Sequence, residues 1–181
     1  MNVKNILDEV APNLLIEKPM IKILKDESKR IVSLLQAELK KSKVSAEVFL
    51  GGSFAKNTLI KSEFYDVDTF VRFDWRYENI SIILKEVLEK VAKKNKLKLE
   101  TIHGSRDYFR ILVRDNIIFE IVPVIKIKKP REARNVTDLS YFHVNYIKNK
   151  IRKGNLSEEI VLAKQFCKAQ RIYGAESYVN G

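Results

Sequence analysis

The amino-acid sequence predicts an α+β fold, in which a mixed sheet with flanking helices is followed by a helical segment. Apolar residues recur at helical spacing over residues 19–41 and 80–94, before and between the predicted strands. Strand patterns stop near Pro130, after which only helical patterns remain. Short apolar runs of strand length supply the predicted sheet, and they lie at residues 46–50, 66–73, 97–103, 108–113 and 117–125.

The first predicted helices lie before the sheet. Pro19 suits the first turn of the long helix over 19–41, because proline lacks the N–H that this turn leaves unpaired. A shorter helix is predicted from about residue 3 to residue 10. The last two predicted strands should form an antiparallel hairpin, since Asp115 and Asn116 supply turn residues between them.

Two helices are predicted after the sheet. Thr137 or Asp138 can cap the first, which should run to about residue 150. Ser157 opens the second, which should run to about residue 171 and end at Gly174. We expect two structural regions, an α/β region over residues 1–130 and a helical region over residues 131–181.

Size and composition restrict the function classes. The 181 residues suffice for one domain, alone or with an accessory lobe. The formal net charge of +11 suggests a polyanionic partner, nucleic acid or an anionic membrane, although a lysine-rich solvated surface is the alternative. The single cysteine, Cys167, excludes an intramolecular disulfide and a multi-cysteine zinc site. There is no signal peptide, and no apolar run approaches the ~20 residues of a membrane span, so we expect a cytoplasmic protein.

A glycine-rich loop follows the first predicted strand and has features of a phosphate-binding loop. Gly51 and Gly52 let the backbone turn sharply and approach a ligand without a Cβ in the way. Backbone N–H groups and the Ser53 hydroxyl can then face phosphate oxygens. Lys56 adds a positive charge, and Thr58 completes the pattern G-G-S-x-x-K-x-T.

Asp66 and Asp68 begin the second predicted strand and indicate a metal site. Because they are two residues apart, both carboxylates project from one face of the strand. Hard oxygen ligands of this kind select Mg²⁺, often shared with substrate phosphates. Glu120, an acidic residue inside an apolar strand, is the candidate third carboxylate, which would allow two metals for phosphoryl transfer. The alternative is an exposed Glu120 on an edge strand, which Pro123 would tolerate.

The specificity of this pattern lies in its combination. A D-x-D pair alone is weak, because most such pairs are solvated surface carboxylates. Together with the G-G-S-x-x-K-x-T loop and the apolar strand after the pair, it predicts nucleotidyl transfer.

The sequence resembles the archaeal (class I) CCA-adding tRNA nucleotidyltransferases, within the polymerase-β-like nucleotidyltransferase superfamily. Residues 120–123 resemble the acidic-Val-Val-Pro strand of that family, and residues 137–143 its segment that ends in histidine. Residues 159–168 and 172–176 resemble the helix and Tyr-Gly turn of its neck domain. The resemblance extends over almost the whole chain.

The resemblance implies a catalytic head over 1–130, followed over 131–181 by the start of a helical neck that selects the nucleotide. It implies that two Mg²⁺ ions are held by Asp66, Asp68 and Glu120. From the residues alone, His143 could be an ordinary helix residue, Lys164 a solvated lysine and Tyr173 a core anchor. The resemblance instead implies that ATP or CTP is contacted by Gly52, Ser53, Lys56, Thr58, His143, Lys164 and Tyr173.

The sequence departs from the family pattern at several positions. Asn57 stands where glycine is usual, Glu120 replaces aspartate and Tyr141 replaces proline. The sequence ends at Gly181, where the relatives continue into the rest of the neck and then body and tail domains. It is therefore expected to be either an excised catalytic fragment or a minimal enzyme that works with a partner chain.

The resemblance predicts the addition of CMP and AMP from CTP and ATP to the 3′ end of tRNA, with release of pyrophosphate. An alternative keeps the chemistry and changes the acceptor, as in a poly(A) or oligoadenylate polymerase or an enzyme that nucleotidylates a protein. A different class is a non-catalytic RNA-binding subunit with the same fold.

Overall fold

The computed structural model describes residues 9–10, 12–154 and 156–172. The predicted helix over residues 3–10 therefore lies almost entirely outside the described residues. Two 3-10 turns, Pro130–Glu132 and Val136–Leu139, precede the last two helices. The helices and strands of the described chain are α1 Lys18–Lys41, β1 Ala46–Leu50, α2 Gly52–Lys56, β2 Tyr65–Phe73, α3 Ile80–Asn95, β3 Lys98–Ile102, β4 Tyr108–Arg114, β5 Ile117–Ile125, α4 Ser140–Gly154 and α5 Ser157–Ala169.

The strands form one mixed sheet in the order β1-β2-β5-β4-β3. The central pair, β2 and β5, is parallel, and every other neighbouring pair is antiparallel. The predicted α+β class and the β4–β5 hairpin are therefore confirmed. The hairpin register shifts between Leu112 and Arg114, which makes a β-bulge that the sequence did not indicate.

One face of the sheet carries the hydrophobic core. On β2, Val67, Val71 and Phe73 are fully buried on this face, against α1 and α3. Helix α1 contributes Leu24 and Ile31 from the stripe that its spacing predicted. Each fully buried aliphatic or aromatic side chain contributes about 1.5–3 kcal/mol, so this face holds the sheet in a fixed register. The opposite face of β2 carries Asp66, Asp68, Phe70 and Arg72.

The entry to α4 differs from the sequence prediction. Asn135 caps the 3-10 helix Val136–Leu139, which contains Thr137 and Asp138 and leads directly into α4; its side-chain oxygen accepts a hydrogen bond from the Thr137 N–H at 3.0 Å. The prediction of Thr137 or Asp138 as the cap is therefore wrong. Asp138 is unavailable because its buried carboxylate accepts hydrogen bonds from the Ile125 N–H and from the guanidinium of Arg106. This carboxylate links the end of β5 to the start of the helical segment.

The last helix, α5, begins at the predicted Ser157 and ends at Ala169, close to the predicted end. Tyr173 and Gly174 lie outside the described residues. Within the described part of the chain, no helix combines the length and apolarity that crossing a bilayer requires.

Candidate active site

The glycine-rich loop turns directly from β1 into the short helix α2. The N–H of Gly51 donates to the carbonyl oxygen of Asp68 at 2.8 Å, which ties the loop to β2. Gly52 has φ +58°, a left-handed conformation that side chains other than glycine rarely adopt. Asn57 ends the helix with φ 56° and ψ 39°, the conformation that asparagine tolerates in place of glycine.

These glycines also allow the loop to lie against the acidic strand. A Cβ on Gly52 would lie 1.6 Å from Oδ2 of Asp68, and one on Gly51 would lie 2.4 Å from the ring of Phe70. Neither distance is tolerable for a real Cβ atom. The loop backbone therefore touches the Asp68 carboxylate, a contact that the sequence prediction did not include.

The structure brings two of the predicted carboxylates into register. Asp66 and Asp68 project from one face of β2, with Asp66 exposed and Asp68 partly buried. Glu120 of β5 is the parallel-register partner of Asp68 and therefore lies on the same face of the sheet. Burial raises the pKa of Asp68, and the charges of Glu120 and Asp66 raise it further, while Lys56 acts in the opposite direction. The three carboxylates are thus close enough to repel one another.

Glu120 is held by an arginine that sequence reasoning missed. Arg110 of β4 lies opposite Glu120 in the antiparallel register, and its Nε and Nη2 donate to the same oxygen, Oε1, at 2.8 and 2.6 Å. This bond raises the pKa of Arg110. Among the residues that the structure describes, no three or more histidine, cysteine or acidic side chains already form a metal-binding cluster.

The donor set nevertheless suits Mg²⁺. Asp66, Asp68 and Glu120 offer hard oxygen ligands on one sheet face, which is the chemistry that Mg²⁺ prefers. Burial, and after it the charges of Glu120 and Asp66, disfavour the ionised form of Asp68, which a bound cation would stabilise.

Lys164 of α5 reaches back to the glycine-rich loop. Its Nζ donates to Oγ of Ser53 and to the carbonyl oxygen of Thr58, both at 2.9 Å. Burial lowers the pKa of Lys164, and the charge of Lys56 lowers it further, whereas Asp68 raises it. The two lysines and the Ser53 hydroxyl therefore converge on one side of the loop, next to Asp68.

The remaining predicted residues are placed differently. Thr58 is buried, and its carbonyl oxygen serves the loop through the contact with Lys164. His143 is exposed on the first turn of α4. Its neighbour Val144 is buried and close to Gly51, so this turn packs over the loop. Tyr173 cannot be placed because it lies outside the described residues.

Comparisons with known proteins identify the family. Residues 1–141 match the sequence profile of the family described as Second Messenger Oligonucleotide or Dinucleotide Synthetase domain. The chain is 37% identical to a CCA-adding enzyme of Nanoarchaeum equitans over 158 residues, which cover 86% of this chain and 38% of that enzyme. It is 27% identical to a CCA-adding enzyme of Pyrococcus abyssi over 183 residues, which cover 100% of this chain and 39% of that enzyme. The chain therefore spans well under half the length of these curated relatives.

Solved structures share the fold. A structure of Cid1, described by its RNA terminal uridylyl transferase activity, has a TM-score of 0.69 at 14% identity and covers 91% of this chain and 46% of that one. A structure of E. coli MS115-1 CdnC with ATP has a TM-score of 0.67 at 18% identity and covers 91% of this chain and 57% of that one. The chain therefore belongs to the Second Messenger Oligonucleotide or Dinucleotide Synthetase domain family of nucleotidyltransferases, and its resemblance to archaeal CCA-adding enzymes is confirmed over most of its length.

Proposed function

We propose that the chain carries the catalytic head of an Mg²⁺-dependent nucleotidyltransferase that adds CMP and AMP from CTP and ATP to the 3′ end of tRNA. The observation that carries the proposal is the register of Asp68 with Glu120 on the sheet face beneath the glycine-rich loop. The similarity to CCA-adding enzymes supports tRNA as the acceptor. The net charge of +11 would attract the RNA backbone. We propose that the protein acts in the cytoplasm and not at a membrane.

The carboxylates and the loop have separate roles in this proposal. Asp66, Asp68 and Glu120 would hold two Mg²⁺ ions, which when bound would lower the pKa of the attacking hydroxyl and neutralise the pyrophosphate. Glu120 orients the 3′ hydroxyl of the acceptor. Ser53 and Lys56, together with the backbone N–H of Gly52, bind the triphosphate.

The helical segment has the remaining roles. Residues 1–130 form the catalytic head and residues 131–181 the start of a neck. Lys164, His143 and Tyr173 contact the triphosphate or the sugar of the nucleotide. Because the chain covers 38% of the first relative, a partner chain or a C-terminal region would supply the tRNA-binding body and tail.

The direct test uses a tRNA that ends at the discriminator base, with Mg²⁺ and labelled CTP or ATP supplied separately. The chain is assayed alone and with the C-terminal region of the Nanoarchaeum relative added in trans. We expect label at the tRNA 3′ end, lost in Asp68→Ala. If neither mixture labels the tRNA while the protein is folded, the proposed acceptor is wrong.

A second candidate follows from the matching family, whose description names oligonucleotide and dinucleotide synthesis. In that case the acceptor is the hydroxyl of another nucleotide, and the same carboxylates serve it. The assay without RNA distinguishes the two functions. Labelled ATP or CTP converted to short oligonucleotides in the absence of RNA favours the second candidate.

A further inference from the structure

Arg110 lies beside the proposed metal ligands, and the proposed function gives it no role. In the sheet order, β4 and β2 flank β5 from opposite sides. Arg110 and Asp68 therefore flank Glu120 on one sheet face, each in direct register with it. Both bonding nitrogens of Arg110 engage the same oxygen of Glu120, so the side chain of Glu120 is drawn towards β4 and away from Asp68.

The guanidinium of Arg110 thus supplies the positive charge beside Glu120 when no metal is bound. Three carboxylates lie on one face of the paired strands β2 and β5, with Asp68 and Glu120 in direct register. Arg110 makes its hydrogen bonds to Glu120, and its charge also interacts with that of Asp66. A divalent cation bound between Asp68 and Glu120 would compensate both, and it would compete with Arg110 for the same carboxylate.

We propose that Arg110 is a positioning residue that exchanges Glu120 for a phosphate of the acceptor RNA when the metal binds. The binding of Arg110 to RNA rests on the proposed function. The competition between Arg110 and the metal for Glu120 does not require transfer activity and can be tested separately. Arginine suits the exchange because its planar fork binds carboxylate and phosphate with the same geometry.

The surroundings of Arg110 favour a phosphate as its second partner. Glu100 lies opposite Arg110 on β3, but its carboxylate is already paired with Lys98 at 2.8 Å. The ring of Tyr108 lies 5.9 Å from Cζ of Arg110 and offers one aromatic face beside the guanidinium. A released Arg110 would stay beside Glu120, because the two residues are in register on neighbouring strands.

The metal arm measures Mn²⁺ binding by calorimetry without nucleotide or RNA, because carboxylate sites for Mg²⁺ also accept Mn²⁺. The side chains of Arg110 and Glu120 are 39% and 22% exposed, so the pair is worth little more than an exposed ion pair. Removing the competing cation with Arg110→Gln should tighten Mn²⁺ binding by about two- to fivefold. Arg110→Lys keeps a charge beside Glu120 and should restore the parent affinity.

The matched control is Arg114→Gln on the same strand. Arg114 pairs with Glu27 of α1 at 2.9 Å and has no contact with the acidic face, so this variant should bind Mn²⁺ as the parent does. Circular dichroism verifies that each variant is folded. Unchanged or weaker Mn²⁺ binding by Arg110→Gln overturns the inference.

The RNA arm measures the salt dependence of binding to an acceptor minihelix that ends at the discriminator base. With saturating Mn²⁺, Arg110→Gln should reduce the slope of log K against log salt by about 0.7 to 0.9, the contribution of one phosphate contact. Without metal, the parent and the variant should have equal slopes. Equal slopes in both conditions, or the same reduction in both, overturn the inference.

Failures of the two proposals can be told apart. If the parent transfers nucleotides but Arg110→Gln binds Mn²⁺ no more tightly than it does, only the role of Arg110 is wrong. If the folded parent binds no Mn²⁺, the metal requirement of the proposed function fails together with this inference.

Discussion

Gly52→Ala tests the contact between the glycine-rich loop and the acidic strand. The added Cβ would lie 1.6 Å from Oδ2 of Asp68, so the carboxylate or the loop must move by more than 1 Å. The left-handed φ of +58° costs alanine about 1–2 kcal/mol, and the lower entropy of the unfolded chain returns about 0.4–1 kcal/mol. We therefore expect the free energy of unfolding to fall by about 1 kcal/mol. The displacement of the site should affect the transfer activity more strongly.

The effect on activity should far exceed the effect on stability. A stability change near 1 kcal/mol shifts Tm by about 2–4 °C in a chain of this size, so Gly52→Ala remains folded at 25 °C. A displacement of about 1 Å at a metal-binding carboxylate reduces transfer by about 100-fold. Urea denaturation gives the first quantity, and the tRNA labelling assay gives the second.

The matched control is Gly104→Ala. A Cβ on Gly104 would meet only the carbonyl oxygen of Arg106, at 3.6 Å, which is an ordinary contact. This variant should transfer nucleotides at the parent rate. Parent-level activity in Gly52→Ala would refute the close approach of the loop to Asp68, whereas equal losses in both variants would show a general sensitivity to alanine.

Asp138→Asn should lower the free energy of unfolding by about 3 kcal/mol in urea denaturation, because it leaves the mostly buried guanidinium of Arg106 without its charged partner. The stability of the parent should fall as the pH drops below about 4, and the stability of this variant should depend less on pH in that range. Lys164→Gln should weaken ATP binding by about tenfold in a calorimetric titration, because it removes the charge held against Ser53 at the loop. The control Lys168→Gln, one helical turn later and exposed, should bind ATP as the parent does.

The pH prediction follows from the direction of one pKa shift. Burial by itself raises the pKa of Asp138, but hydrogen bonds from Arg106 and from the Ile125 N–H bind the charged form and hold the pKa below its usual value. A lowered pKa in the folded state means that the stabilisation is complete above the unfolded pKa of about 3.9 and is lost as the pH falls through the lower folded value. A loss of stability between pH 8 and pH 6 that disappears in Asp138→Asn would contradict this assignment. The control Asp74→Asn removes an exposed ion pair and should leave the pH dependence of stability unchanged.

The strands and the shared face of the D-x-D pair could be predicted from the sequence because both depend on local residue spacing. Strand β1 begins and ends as predicted, and β2 places Asp66 and Asp68 on one face as a period of two requires. The pairing of β2 with β5 depends on contacts far apart in the chain. The third carboxylate could therefore be named from its apolar surroundings, but its register with Asp68 could not be derived.

Arg110 could not have been predicted because of a single extra residue. A two-residue turn at positions 115 and 116 pairs Arg114 with Ile117, and continuing that register would place Ile111 opposite Glu120. The bulge between Leu112 and Arg114 shifts the pairing by one residue, which reverses the face of every side chain beyond it. Arg110 opposes Glu120 for this reason alone.

The cap of the 3-10 helix before α4 was missed for a different reason. Asn135, Thr137 and Asp138 all have side chains that can accept a hydrogen bond from a helix N-terminus. Which of them is free depends on tertiary contacts. Asp138 is engaged by Arg106, a residue that lies on the connection between β3 and β4.

The parallel pairing of β2 with β5 also determines when the site can form during folding. The two strands are separated in the chain by α3, β3 and β4, so bringing them together requires closing a long loop before their contacts stabilise it. The hairpin β4–β5 and the pair β1–β2 are local and can form earlier. Asp68 and Glu120 therefore meet only at the last pairing, and we expect amide protons at this central seam to gain protection after those of both flanking units.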